Sequence, residues 1–204
     1  MEVEGCEMRF TGERVVPGVM DDARDLQAHL ARYVAFMHPF CTHKIVLDAA
    51  CGTGYGTQIL SWAADSAFGI DIEPSAIEYA EEMYATDRTT FVIGDVTKMP
   101  FPDKMFDVVV SFETIEHLKE PEKFVDEAWR VLADDGVFIV SAPENSGSVF
   151  HRAEYSADGL AALLGAFPER EYYGQAFGLE HTIQKGVVPH SEHDTHIFVA
   201  KKTT

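Results

Sequence analysis

The sequence predicts a doubly wound α/β fold on a mostly parallel sheet, and three observations carry that prediction. The apolar run Ile45 to Leu47 ends in Asp48 and breaks into alternating glycines, Gly52, Gly54 and Gly56. Short apolar strands then alternate with helical stretches as far as Ser141, the pattern of a sheet covered on both faces. Two later strands run out in acids, Asp71 and Asp95, in the same order behind the glycine loop.

The first strand is continuously apolar, as burial on both faces requires, so the glycines lie at its carboxyl end. Glycine there lets a ligand approach the backbone and permits dihedrals closed to other residues. The spacing is neither the dinucleotide fingerprint nor the phosphate loop of NTPases. Asp48 just before the loop would repel a pyrophosphate and suits a cationic ligand. S-adenosylmethionine carries a sulfonium and an ammonium and no phosphate.

Upstream, residues 1–20 read as irregular, and Asp21 to His38 as a helix with Leu26, Leu30, Tyr33, Val34 and Met37 on one stripe. His29, Arg32, Tyr33 and Phe36 share helical spacing and either line the mouth of a site or simply pack on the sheet. Arg14 and Arg32 are candidates for a ligand carboxylate. Downstream, Tyr55 to Ala63 is read as helix and Ala67 to Asp71 as strand. Asp71 stands about 20 residues past the glycines, where an acid can accept from ribose hydroxyls. Ile72 beside it can cover a face of adenine. Pro74 opens the next helix. Thr90 to Val96 is read as a third strand, with Asp95 placed to accept from the adenine amine and the Val96 N–H to meet a ring nitrogen. A helix cap or turn role remains open for either acid alone.

Phe106 to Phe112 is read as a fourth strand, running into Glu113-Thr114-Ile115-Glu116-His117 over the switch point. A helix there sets Glu113 and His117 on one face at i, i+4, so that the carboxylate orients the imidazole as a general base. The alternative is a helix-start acid and a histidine bonded to backbone. Pro121 to Leu132 is an amphipathic helix, Val137 to Ser141 a fifth strand. Ser156 is an N-cap for a helix over 157–164. Glu171 to Phe177 and Thr195 to Ala200 suit the last two strands. His151, Glu154 and Tyr155 are further candidates for acceptor contacts, or alternatively serve that helix start.

The motifs Asp48-Ala49-Ala50-Cys51-Gly52-Thr53-Gly54, Gly69-Ile70-Asp71, Gly94-Asp95-Val96, Phe106 to Ser111, and Arg130-Val131-Leu132 with Gly136 resemble those of class I S-adenosylmethionine-dependent methyltransferases. The resemblance covers roughly residues 40–145. Ser111 to Leu118 is similar to the ubiquinone-type and small-molecule or sugar branch. Phe10 to Arg14 and Phe150 to Tyr155 resemble stretches of bacterial, polysaccharide-associated members. The resemblance implies a Rossmann-like sheet of seven strands, mostly parallel, with the last inserted antiparallel. It divides the chain into an N-terminal cap and helix, 1–40, and a methyltransferase domain, 41–204, whose acceptor-side elements lie in 146–204. It implies S-adenosyl-L-methionine as cofactor, with the Gly52 and Gly54 backbone at the methionine moiety, Asp71 at ribose, Asp95 and Val96 at adenine and the Ser111 region at the amino group. Asp48, Ala50, Ile72 and Phe112 complete the expected cofactor set. Ala50 departs from the glycine that many members carry. The reaction expected is direct in-line methyl transfer to a small-molecule acceptor, most of all a sugar or phenol-like hydroxyl, with His117 and then His151 as base. The alternatives are a SAM-binding regulatory or partner-dependent subunit without catalysis, or N- or C-methylation of another small molecule.

Composition bounds the partners. With 204 residues, 46% of them apolar, the chain can bury a sizeable core. A formal charge of −18 argues against nucleic acid or an anionic membrane as partner, and otherwise serves solubility. Met1 is followed by Glu2 and Glu4, and no apolar stretch spans a bilayer, so a cytoplasmic protein is expected. Cys6, Cys41 and Cys51 lack zinc spacing and read as free thiols. His190, His193 and His196 fall at three-residue spacing but cross from a loop into a strand, so no metal site is expected from them. Aromatic residues including Phe10, Tyr33, Phe112, Phe150, Tyr155, Tyr172 and Phe177 either line an acceptor pocket or are core.

Overall fold

The computed structural model describes Pro17 and residues 23–144, 148–176, 182–186 and 195–203. Helix α1 (Ala23–Cys41) leads into β1 (Ile45–Ala49), α2 (Tyr55–Ser61), β2 (Ser66–Asp71), α3 (Pro74–Tyr84), β3 (Thr89–Ile93) and β4 (Phe106–Ser111). A single 3-10 turn (Ile115–His117) precedes α4 (Pro121–Val131), β5 (Leu132–Pro143), α5 (Ala157–Leu163), β6 (Glu169–Gln175), β7 (Ile183–Lys185) and β8 (Thr195–Lys201). The strands form one sheet in the order β3-β2-β1-β4-β5-β8-β6-β7.

Pleating sends alternate side chains of each central strand to opposite faces, which is why these strands are apolar throughout. Val46, Val108, Val110 and Ile139 pack with Tyr33, Phe36 and Met37 of α1 and Ile59 and Leu60 of α2. Leu47, Val109, Phe138 and Val140 pack on the other face with Phe124, Val125 and Ala128 of α4 and Leu160 of α5. Helix α1 therefore shares its core with α2.

The doubly wound architecture is as expected, with one correction to the strand count. Among the described residues the sheet has eight strands, because Ile183–Lys185 adds an antiparallel edge to β6. Three residues are too short to show a period in sequence. Strand β8 is antiparallel to both β5 and β6, as expected of the last strand. Its alternate residues feed both cores, Ile197 and Val199 on one side and Phe198 and Ala200 on the other.

The local signals act as read. Ser156 caps α5 by accepting from the Gly159 N–H at 3.2 Å, and Pro74 occupies the first turn of α3. Strand β3 ends at Ile93, earlier than expected, where the Gly94 N–H turns back to the Asp71 carbonyl at 2.9 Å. Lys202 is buried against α4, donating to the Trp129 and Leu132 carbonyls at 2.8 and 2.7 Å. A cation there meets the helix carbonyls that lack intrahelical partners.

Candidate functional site

Strand order reverses between β1 and β4: the chain leaves β1 outward to β2 and β3, then returns to β4 on the other side. A crevice opens where the two directions of winding diverge, at the carboxyl ends of these strands. The β1 loop there holds three left-handed residues within five, Ala50, Gly52 and Gly54, with φ of 62, 54 and 87°. Its three glycines serve different ends. A Cβ on Gly52 would meet nothing within 4 Å, which leaves the backbone open to a ligand. One on Gly54 would lie 2.5 Å from the Ala80 Cβ and 2.9 Å from the Phe91 ring, and one on Gly56 would strike the Tyr33 ring. Gly52 therefore has open space on its Cβ side, while Gly54 and Gly56 are required by packing, a distinction that spacing alone does not carry.

Asp71 ends β2 opposite this loop, its Oδ2 accepting from the Gly52 N–H and its Oδ1 from the Glu73 N–H, both at 2.9 Å. It thus sets the curvature of the loop after β1. Ile72 is 64% exposed, an apolar face without cover among the described residues. Asp95 lies in the turn beyond β3, not within the strand, with Oδ1 accepting from the N–H and hydroxyl of Thr97. Val96 is buried in the core beside it.

Three expected cofactor contacts are engaged elsewhere by their side chains. Asp48 is buried, accepting from the Tyr33 hydroxyl at 3.1 Å and the Thr57 hydroxyl at 2.8 Å, so it ties α1 and α2 to β1 beneath the loop. Ser111 donates to the Ala49 carbonyl at 2.9 Å, joining β4 to β1. The Phe112 ring packs edge-on against Tyr33, 5.0 Å between centroids, leaving its backbone at the crevice. Tyr33 and Thr57 are thus partners of the site that helical spacing did not single out for this role.

Burial pushes the Asp48 carboxyl up to about 7, against a usual 3.8. Between those values the folded chain keeps a proton that the unfolded chain has lost, so this group lowers stability as pH rises from about 4 to 7. The contribution is at most about 4 kcal/mol. Asp48→Asn is expected to remove it: unfolding free energies should shift in the variant's favour as pH rises through that window. A difference independent of pH would show instead that Asp48 is charged throughout.

On the β4 side, Arg32 is buried and donates to Gln175 Oε1 at 2.6 Å, with Glu113 Oε1 at 3.9 Å and the Phe112 ring centroid at 6.0 Å. Glu113 has φ 55°, a left-handed backbone held by Ser141, whose Oγ accepts from the Glu113 N–H at 3.1 Å and donates to Oε1 at 2.8 Å. Such strain in a non-glycine residue costs about 1–2 kcal/mol and is frequent at functional sites. It also corrects an expectation. The following turn is 3-10 and begins at Ile115, so Glu113 and His117 do not share a helical face.

His117 meets His151 instead, ring centroids 4.8 Å apart and edge to face. The backbone brings them together, because the Glu116 carbonyl accepts from the Arg152 and Ala153 N–H groups at 2.8 and 3.2 Å. His117 Nδ1 lies 3.2 Å from the Phe150 carbonyl, and His151 Nδ1 lies 3.3 Å from Glu154 Oε1. The Glu116 side chain between them is fully buried. Burial, and after it the charge of Glu113, holds its carboxyl well above the usual range.

His29 is bonded to the Tyr55 hydroxyl at 3.2 Å and held below its usual range by burial and by Arg32. His196 is buried with Nδ1 2.8 Å from the Tyr172 hydroxyl and Nε2 2.7 Å from Glu144, so both ring nitrogens are engaged. Phe10 to Arg14, Phe177, His190 and His193 lie outside the described residues. No helix among the described residues is long and apolar enough to cross a membrane.

Residues 47–140 match a family described as a methyltransferase domain. A probable S-adenosylmethionine-dependent methyltransferase of Mycolicibacterium smegmatis is 34% identical over 164 residues, 76% of this chain and 63% of the relative. The chain thus spans under two thirds of that relative. A probable tocopherol O-methyltransferase of rice is 35% identical over 103 residues, 48% of this chain and 28% of its own. A Thermotoga maritima structure, described as a SAM-dependent methyltransferase and possible histamine N-methyltransferase, superposes with a TM-score of 0.70 at 18% identity, covering 88% of this chain and 94% of that one. That likeness is one of fold. Over residues 47–140 the chain thus matches a methyltransferase domain, and its similarity to S-adenosylmethionine-dependent methyltransferases extends over 76% of its length.

Proposed function

We propose that the chain methylates a hydroxyl of a small-molecule acceptor, a sugar or a phenol-like ring, by direct displacement at the sulfonium of S-adenosylmethionine. The observation that carries the reading is the juxtaposition, at one switch point, of the open Gly52 backbone and Asp71 with the Glu113–His117 turn and His151. The acceptor oxygen forms a bond to the methyl carbon while the carbon–sulfur bond breaks and its electron pair stays on sulfur, giving S-adenosylhomocysteine. The donor arrives activated, so the protein supplies alignment, proximity and exclusion of water. The hydroxyl proton passes to an imidazole, His117 first and His151 second. Gly52, Gly54, Asp71, Ile72, Asp95 and Val96 frame the cofactor in this reading, with Ala50 and the backbone at Ser111 and Phe112 closing the loop. The charge of −18 disfavours nucleic acid as acceptor, and a cytoplasmic setting suits the free thiols of Cys41 and Cys51.

The test is transfer from methyl-labelled S-adenosylmethionine into a cell extract separated into small-molecule, saccharide, protein and nucleic-acid fractions. Label is expected in the first two, with His117→Ala slowing transfer at saturating acceptor by about 10²-fold or more, the scale of a lost acid–base group. Label confined to protein or nucleic acid overturns the choice of acceptor. No label in any fraction, with S-adenosylhomocysteine still bound, overturns the catalytic reading.

A further inference from the structure

Glu116 is the most anomalous side chain of the site. Its residue is 0% exposed, and neither carboxylate oxygen has a hydrogen-bond partner among the described residues. An isolated carboxylate in a protein interior costs several kcal/mol unless it keeps its proton or positive charge is supplied to it. Arg32 acts on it only through space, and its guanidinium is bonded to Gln175.

What does surround Glu116 is a pair of imidazoles. One ligand atom from each of Glu116, His117 and His151 lies within 4.8 Å of the others, and His117 Nε2 is 3.8 Å from Glu116 Oε1. Three donors around a tetrahedral ion with bonds of about 2.1 Å stand roughly 3.4 Å apart, so side-chain rotation alone can close the gap. The outer contacts suit such a site. Ligand histidines almost always give their second ring nitrogen to a carbonyl or carboxylate, which fixes the tautomer. Here Nδ1 of His117 faces the Phe150 carbonyl and Nδ1 of His151 faces Glu154. With Nδ1 protonated, the lone pair of each ring resides on Nε2. The two backbone bonds from the 152–153 segment to the Glu116 carbonyl hold the donors together across more than thirty residues of chain.

We propose that Glu116, His117 and His151 bind one divalent transition-metal cation at the acceptor end of the crevice. Two imidazoles and a carboxylate are a donor set for manganese, iron, cobalt or zinc rather than for calcium. Three protein ligands leave coordination positions for an oxygen of the acceptor. The cation's part in methyl transfer rests on the function proposed above; its binding does not. In that role it would lower the pKa of a bound hydroxyl, and the two imidazoles would serve as ligands rather than bases.

The experiment is titration of untagged, chelator-stripped protein with Co2+ alone, followed by its visible absorption bands and by calorimetry. One equivalent should bind, and His151→Ala and Glu116→Gln should each weaken it by about 10–100-fold or more. Thermal unfolding establishes that the variants are folded, and His151→Ala leaves the buried carboxylate in place should Glu116→Gln fail to fold. No saturable Co2+ binding, or binding equal in wild type and folded His151→Ala, overturns the proposal. Co2+ binding with no methylated acceptor leaves the site standing and removes its catalytic setting. Methyl transfer that proceeds at full rate without any bound metal overturns the cation's part in the reaction and returns His117 and His151 to the role of bases.

Discussion

Asp71→Ala is expected to weaken S-adenosylmethionine binding about a hundredfold, read by calorimetry. Two losses combine. The carboxylate proposed to bind the ribose hydroxyls disappears, and so does the acceptor that holds the Gly52 N–H at 2.9 Å and thereby shapes the loop. Hydrogen bonds to a charged acceptor contribute about 1.5–3 kcal/mol each, and 1.4 kcal/mol is tenfold in affinity. Asp71→Asn keeps one carbonyl oxygen for the Gly52 N–H and should fall between the two. Affinity unchanged in the alanine variant would place the nucleoside elsewhere, whatever the resemblance of motifs.

Gly54→Ala should destabilise the fold by about 3 kcal/mol or more in denaturant unfolding. A left-handed φ of 87° charges any side chain about 1–2 kcal/mol, and the new methyl would stand 2.5 Å from the Ala80 Cβ, which helix α3 cannot move cheaply. Gly52→Ala is the comparison. Its φ of 54° carries the same backbone strain, but its methyl enters open space, so stability should fall by only about 1–2 kcal/mol while cofactor affinity falls more steeply. Equal stability losses at the two positions would show that backbone conformation alone governs the loop.

The contrast between these two glycines marks where reading the sequence stops. Gly52 and Gly54 are chemically identical in the chain and two residues apart; only the arrival of Ala80 and Phe91 makes one a packing residue and the other a docking surface. Asp48 shows the same limit. Its place at a strand end is legible from Ile45 to Leu47 before it, but its bonds to Tyr33 and Thr57 come from helices whose facing is set by packing. Glu113 is a third case. A helical reading of Glu113 to His117 paired the wrong side chains, because the Ser141 hydroxyl captures Glu113 in a left-handed conformation before the turn begins.

The sequence by itself determined the doubly wound sheet, the position of its cofactor loop and the acid at the end of β2. Those features follow from local periodicity and from backbone chemistry at single residues, which neighbours in the chain suffice to specify. The tertiary structure alone decided that His117 faces His151, that the Glu116 carboxylate is buried without a hydrogen-bond partner among the described residues, and that β7 extends the sheet edge beyond β6. Each depends on contacts between distant segments, where burial and the satisfaction of backbone hydrogen bonds are settled only once the layers have packed.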